Sequence, residues 1–150
     1  MKVVIQRVSE ASVTIDGKIV ASIEKGLLIL LGIVNEDTQE DMSWLCNKIV
    51  NLRIFGDAND MMNHSLLDVN GNTIVVSQFT LHAGTKKGNR PSYIKAAKPE
   101  VAIPLYKSFV KKLETALGKK VQTGEFGADM KVQLLNDGPV TIIIDSKNKE

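Results

Sequence analysis

Five consecutive aliphatic residues, Leu27-Leu28-Ile29-Leu30-Leu31, limit how this chain can fold more than any other stretch does. A strand turns successive side chains to opposite faces, so a run with no polar position is stable as a strand only when both faces are covered. The run is far short of the roughly 18 apolar residues that a membrane span needs, and no other segment approaches that length. A central strand with packed layers on either side is therefore required, and the rest of the chain must supply those layers.

Upstream the pattern is that of a β-meander. Val3 and Ile5 share an apolar face with Val8 as its candidate continuation; Val13 and Ile15 lead into Asp16-Gly17, a strong hairpin signal, and Ile19 and Ala21 return. Gly26 ends the next turn. Over residues 37–52 the period changes. Met42, Leu45, Ile49 and Leu52 recur at three- and four-residue spacing, with Cys46 beside them, and predict an amphipathic helix. Glu36, Asp37, Glu40 and Asp41 fall in its first turns, where negative charge meets the positive end of the helix dipole.

Ile54-Phe55 begins a further strand, a polar loop follows over 56–63, and Asn70-Gly71 is a second hairpin signal. Thr73-Ile74-Val75-Val76 is rich in β-formers, and the strand is expected to continue through Leu81. A helix opening at Pro99-Glu100 is expected to bury Ala102, Leu105, Phe109, Leu113 and Ala116 and to stop at Gly118. Pro104 has no amide hydrogen and suits only a position near its start. Residues 130–134 and 140–144 read as two strands around an Asn136-Asp137-Gly138-Pro139 turn. Strands, helix, strands, helix, strands, with no repeat or linker, predict one α+β domain over residues 1–150: a mixed sheet with at least two helices on one side. So many strands in so short a chain can also leave apolar sheet surface for a partner subunit.

Composition narrows the chemistry. The chain is 43% hydrophobic and 24% charged, ordinary for a globular domain of 150 residues. The start turns polar too soon for a signal peptide, and a single cysteine permits no internal disulfide, so a reducing, cytoplasmic compartment is expected. His64 and His82 are the only histidines, and neither belongs to a metal or triad pattern; no metal and no cofactor is expected. Cys46, on the apolar side of its helix, reads as an inert thiol. Gly84-Thr85-Lys86-Lys87-Gly88 lacks the spacing of a phosphate loop. A net charge of +2 neither demands nor excludes nucleic acid. Residues 85–98 nevertheless carry Lys86, Lys87, Arg90, Lys95 and Lys98 with no acid, a run that can meet phosphates or simply form a solvated surface.

Two segments stand apart from this frame. Ser77-Gln78-Phe79-Thr80 puts hydroxyl and amide groups at the end of an apolar strand, and strand alternation would turn Ser77 and Phe79 to one face, Gln78 and Thr80 to the other. Thr80 carries a nucleophile's hydroxyl without a visible activator; hydroxyls at a strand end also serve local hydrogen bonds. Asn136-Asp137-Gly138-Pro139 is by composition a turn, and only about 5 to 6% of bonds preceding proline in folded proteins are cis.

These segments, extended to Ser77-Gln78-Phe79-Thr80-Leu81 and Asn136-Asp137-Gly138-Pro139-Val140-Thr141, resemble the signatures of the D-aminoacyl-tRNA deacylase family. Gln6-Arg7-Val8, Ala11-Ser12-Val13, Met62-Asn63 with Ser65, Lys87-Gly88 with Arg90-Pro91-Ser92, and Thr123-Gly124-Glu125-Phe126-Gly127-Ala128-Asp129-Met130 match in the same order. Gly84, His82 and Tyr93 depart from the aspartate, tyrosine and phenylalanine that many members carry. The resemblance implies a homodimer of mixed and antiparallel sheets with β-barrel character and two main helices. It implies hydrolysis of the ester joining a D-amino acid, or mischarged glycine, to the terminal adenosine of tRNA. Ser77, Gln78, Phe79 and Thr80 would line the catalytic pocket, with Met130 close by and the Phe79 amide as oxyanion donor. A cis Gly138-Pro139 pair from the other subunit would exclude an L side chain, with Arg7 bracing it and Asn136 in the same selecting group. Hydrolysis would be assisted by a ribose hydroxyl; Thr80 as acyl acceptor is the rival mechanism. An L-aminoacyl-tRNA editing hydrolase and a non-catalytic RNA-binding protein are the alternative functions.

Overall fold

The computed structural model describes residues 1–150. Strand β1 (Lys2–Ile15) turns through Asp16 and Gly17 into β2 (Lys18–Ile23). Both turn residues have positive φ, 49° and 76°, which a two-residue hairpin matched to strand twist requires. Strand β3 (Gly26–Gly32) lies antiparallel to the first half of β1. Helix α1 (Gln39–Asn51) follows, then β4 (Phe55–Gly56) and β5 (Met62–His64), which form a small sheet of their own. Strand β6 (Asn72–Ser77) runs parallel to β3, and after helix α2 (Pro99–Leu117) the short β7 (Gln122–Thr123) runs parallel to β6. The last strand, β8 (Lys131–Asp145), lies antiparallel along β1.

The order β2-β1-β3-β6-β7, with β8 also on β1, makes a mixed sheet. Its two ends nearly meet: the Ser22 N–H in β2 donates to Gln122 Oε1 in β7 at 2.7 Å, so the sheet is almost closed into a barrel. The aliphatic run is β3, in the middle of the order. Leu27, Ile29 and Leu31 pack with both helices, while Leu28 faces the barrel interior with Val13, Ala21, Ile74 and Val76. Both layers that the run demanded are present, each fully buried Leu or Ile contributing roughly 1.5–3 kcal/mol.

Several expectations are corrected by tertiary pairing. Val8 does not share the face of Val3 and Ile5 but points into the barrel: the pairing of β1 with β3 is regular through Val8, so alternation turns it to the opposite face, and the register change against β8 beyond it lets Ala11 and Val13 join it there. Ile19 is 67% exposed. Asn70-Gly71 is no hairpin: the chain before it is a turn held by Ser65 and Asp68, and β6 beyond it runs parallel to β3. The strand from Thr73 stops at Ser77 and a 3-10 turn (Phe79–His82) replaces the expected continuation. In α2 the buried stripe is Ala102, Tyr106, Phe109, Leu113 and Leu117, with Leu105 and Ala116 only partly covered. Tyr106 is buried because its hydroxyl donates to Val75 O at 2.8 Å; burial pushes its pKa up to about 12. Pro104 lies inside α2 rather than at its start, on an exposed position where water can replace the lost bond. Residues 130–134 and 140–144 are one element on one partner, not two strands facing across a turn.

The acids near α1 are more specific than a dipole effect. Asp37 pairs with the buried Met1 α-amine. Asp41 completes a capping box with Thr38: it accepts from Thr38 N at 2.8 Å while Thr38 Oγ1 accepts from Asp41 N at 3.4 Å. Burial works to raise the Asp41 pKa, but hydrogen bonds from Lys147, Ser146 and Thr38 outweigh it and hold the carboxyl well below the usual range. A depressed folded-state pKa contributes stability above the unfolded value, lost as the pH falls. Asp41→Asn is therefore expected to cost about 1–2 kcal/mol at neutral pH, with the gap from the parent narrowing below roughly pH 4. Urea midpoints measured from pH 7 to pH 3 check this; a gap that stays constant refutes it.

Candidate functional site

Strands β3 and β6 are parallel, so their carboxyl ends lie together, and the chain leaving both must turn aside there. A cleft of about 340 Å³ opens at that end. Its apolar floor includes Leu31 of β3, Val76 of β6 and Ala102 of α2, and residues 126–130, leading into β8, form the far wall.

Ser77 is the last residue of β6, and Gln78 keeps one more sheet contact, its N–H donating to Leu31 O at 2.8 Å. The 3-10 turn then bends the chain along the cleft rim, so the strand alternation expected for Phe79 and Thr80 does not apply. As the first residue of this turn, Phe79 has an amide that the turn itself does not consume. Its ring is half exposed and meets the edge of Tyr93, with centroids 5.0 Å apart and planes at 78°. Gln78 Nε2 donates to Thr80 Oγ1 in a short hydrogen bond. Neither end of a neutral carboxamide is basic enough to take a hydroxyl proton, so this contact orients Thr80 without activating it. Met130 enters from the opposite wall through room left by Gly124, where a Cβ would collide with the Met130 sulfur. Ser77, Gln78, Phe79 and Met130 thus line one cleft, and Thr80 is tied to it through Gln78.

Arg7, Asn136, Gly138 and Pro139 form a second group, which does not line that cleft. Between the pairs Gln6–Thr141 and Val8–Asn136, the residues Asp137, Gly138, Pro139 and Val140 stand opposite Arg7 alone, so β8 must bow out of the sheet. Asn136 closes the base of the bow, its Nδ2 donating to Arg7 O and to Val140 O, both at 3.0 Å. Arg7 reaches under it: Nε donates to Asp137 O at 2.8 Å and Nη1 to Ile54 O at 2.6 Å. Two fixed donors on one planar group hold the bow against the segment before β4. The Gly138-Pro139 bond is cis, and both residues are exposed.

Cys46 is buried, its Sγ 3.7 Å from Phe109 O, and burial pushes its pKa up to about 12, as an inert thiol requires. Sequence reasoning missed Ala97 and placed Ala102 only in the α2 stripe; both are small residues whose size leaves the cleft open and which carry no chemical signal. It reached Phe126 and Asp129 only as parts of a matching string, not as cleft walls.

The profile of the family described as D-Tyr-tRNA(Tyr) deacylase matches residues 4–145. The chain is 77% identical over 150 residues to the D-aminoacyl-tRNA deacylase of Flavobacterium psychrophilum, covering all of both chains. It is 70% identical over 150 residues to that of Bacteroides fragilis, again covering all of both. Among solved structures, c-Myc DNA Unwinding Element Binding Protein aligns with a TM-score of 0.92 at 41% identity, over 97% of this chain and 98% of its own. A "probable eukaryotic D-amino acid tRNA deacylase" aligns with a TM-score of 0.82 over 95% of this chain and 97% of its own; at 17% identity it speaks for the fold alone.

Proposed function

Because the chain belongs to the D-Tyr-tRNA(Tyr) deacylase family and is a D-aminoacyl-tRNA deacylase, we propose that each of its active sites is built by two copies of the chain. The cleft of one copy receives the aminoacyl end of tRNA, and the Gly138-Pro139 corner of the other copy completes it. The observation that carries this reading is the separation of the two groups: Ser77, Gln78, Phe79 and Met130 share the cleft, while the exposed corner stands outside it on the same chain. The outer edge of β8 has no strand partner, and Leu135 and Ile143 on that strand are 58% and 68% exposed, which fits a homodimer formed along it.

In the cleft, Ser77, Gln78 and Phe79 hold the ester while water adds to its carbonyl carbon. The Phe79 N–H donates to the oxygen as it gains charge, a contribution of about 3–4 kcal/mol in comparable hydrolases. The tetrahedral intermediate expels the ribose oxygen, which takes up a proton, leaving the free amino acid and tRNA. An aminoacyl ester is reactive to begin with, and the neighbouring ribose hydroxyl orients the water, so positioning suffices without a protein nucleophile. Thr80, bonded to an amide that cannot take its proton, helps shape the cleft.

Backbone carbonyls of the Gly138-Pro139 corner face the chiral centre. A D residue turns hydrogen toward them and an L residue turns its side chain, so selection works by collision. Glycine has no side chain to reject and is hydrolysed as well. Arg7 keeps the corner in position, and Asn136 fixes its base. The enzyme acts in the cytoplasm, where tRNAs are charged.

Hydrolysis of D-tyrosyl-tRNA, L-tyrosyl-tRNA and glycyl-tRNA by the purified protein tests this reading. The D and glycyl esters should be cleaved and the L ester spared, by a protein of dimeric mass. Inactivity on all three would sink it. Cleavage of the L ester at the D rate would remove the chiral role of the corner, and a fully active monomer would remove the partner's.

A further inference from the structure

One stretch of the chain carries positive charge with no acid in it. Residues 85–98 carry five basic and no acidic residues, leaving 14 basic against 17 acidic elsewhere: +5 in the segment and −3 in the remainder. Lys86, Lys87, Arg90, Lys95 and Lys98 are all exposed and none forms an ion pair, so all five charges are open to a partner. A surface that served only solubility would gain nothing from segregating its charge in this way.

The segment is also fastened to the cleft. It leaves the 3-10 turn that carries Phe79, and Gly84 and Ser92 exchange two backbone hydrogen bonds of 2.7 and 2.9 Å that fold it back. Tyr93 then rests its ring on Phe79. At the far end the Ala97 N–H donates to Ile33 O at 2.9 Å, and Ala97 itself lines the cleft. Unpaired cations are thus carried on a loop anchored to the cleft rim at both ends and near its middle.

We infer that the 85–98 segment is the docking surface for the phosphate backbone of the tRNA substrate, gripping the strand that leads away from the ester bond held in the cleft. This rests on the proposed reading of the cleft and adds to it a separate element, one that sets tRNA affinity without touching the reacting atoms. Phosphate contacts release counterions, so affinity through this surface falls steeply with salt, by roughly 0.7 to 0.9 in log affinity per log salt for each contact.

The test uses the full chain with Lys86→Gln, Lys87→Gln, Arg90→Gln and Lys95→Gln combined, leaving Lys98 to begin α2. KM and kcat are measured on D-tyrosyl-tRNA across a series of salt concentrations, and on the D-tyrosyl ester of adenosine, which has no phosphates. We expect KM for the tRNA to rise at least about tenfold and its salt slope to become shallower by about 3, with kcat and adenosine-ester hydrolysis held. Lys107→Gln with Lys111→Gln, on the exposed side of α2, should leave the slope as it was. An unchanged KM and slope in the fourfold variant overturns the docking surface while the deacylase reading stands. Equal loss on both substrates overturns it too, by showing that the segment acts through the cleft. A parent protein inactive on both would overturn the deacylase reading on which the inference rests.

Discussion

Gly26→Ala is expected to destabilise the fold by about 3 kcal/mol or more and to lower the melting temperature by roughly 6–12 °C. Gly26 opens β3, paired with Val8 on one side and Asn72 on the other. A Cβ at this position would fall inside the Asn72 carbonyl oxygen and 2.7 Å from both Asn72 C and N. Those are backbone atoms, so no rotamer change relieves the clash. Asn72 cannot retreat easily either: its N–H donates to Lys25 O at 3.1 Å, and Lys119 Nζ donates to Asn70 O at 2.8 Å beside it. Relief would have to come from separating β3 and β6 at the start of their parallel pairing, under the core that both faces of β3 hold together. Overpacking against side chains commonly costs 1–3 kcal/mol, and a backbone collision belongs at or above the top of that range. Thermal unfolding followed by circular dichroism measures it; a melting temperature within a degree of the parent would mean the two strands part freely there.

Gly26 also shows what could be read in advance and what could not. Its place at the start of a strand follows from the aliphatic run after it, and the Asp16-Gly17 hairpin, the α1 stripe and the Gly118 stop are legible for the same reason: each is set by residues a few positions apart. The close approach of Gly26 to Asn72 is not legible, because the two are neighbours only once β6 has come back beside β3. The same limit explains Ala11 and Val13. They join Val8 in the barrel only because β1 changes register against β8 beyond Val8, which the N-terminal sequence does not contain. It explains Tyr106, whose burial depends on the Val75 carbonyl, and it explains Phe79, whose strand pattern gives way to a turn.

For the cleft, local reasoning found only polar residues at a strand end and no catalyst. A site that works, as proposed, by backbone amides, shape and a substrate hydroxyl has no titratable signature to find. Resemblance supplied the grouping of Ser77, Gln78 and Phe79 with Met130, which geometry then brought into one cleft. Composition predicts only a plain turn at the corner. Its actual form, a bow opposite Arg7, requires knowing that β8 pairs with one strand on both sides of it.

That bow is where a single methyl group should do most damage to activity. Gly138→Ala is expected to reduce D-aminoacyl-tRNA hydrolysis at least about a hundredfold, since displacing a positioning element by about 1 Å can cost that much. Gly138 has φ +152°, a conformation that L side chains rarely adopt, and a Cβ there would lie 2.7 Å from Val140 N, 2.8 Å from Val140 Cγ2 and 3.1 Å from Arg7 Nη2. Any adjustment moves the corner or pushes Arg7 from its grip on Asp137 O and Ile54 O. The fold should suffer less than in Gly26→Ala, because the corner is exposed and the Gln6–Thr141 and Val8–Asn136 pairs can persist on either side of it. Mixing makes the test sharper. Ser77→Trp fills the cleft but leaves the corner intact, so neither variant should be active alone. Exchanged into mixed dimers, the cleft of the Gly138→Ala chain faces an unaltered corner, and one site in each mixed dimer regains activity. If folded, dimeric variants show no recovery on mixing, the corner serves the cleft of its own chain and the shared site is wrong.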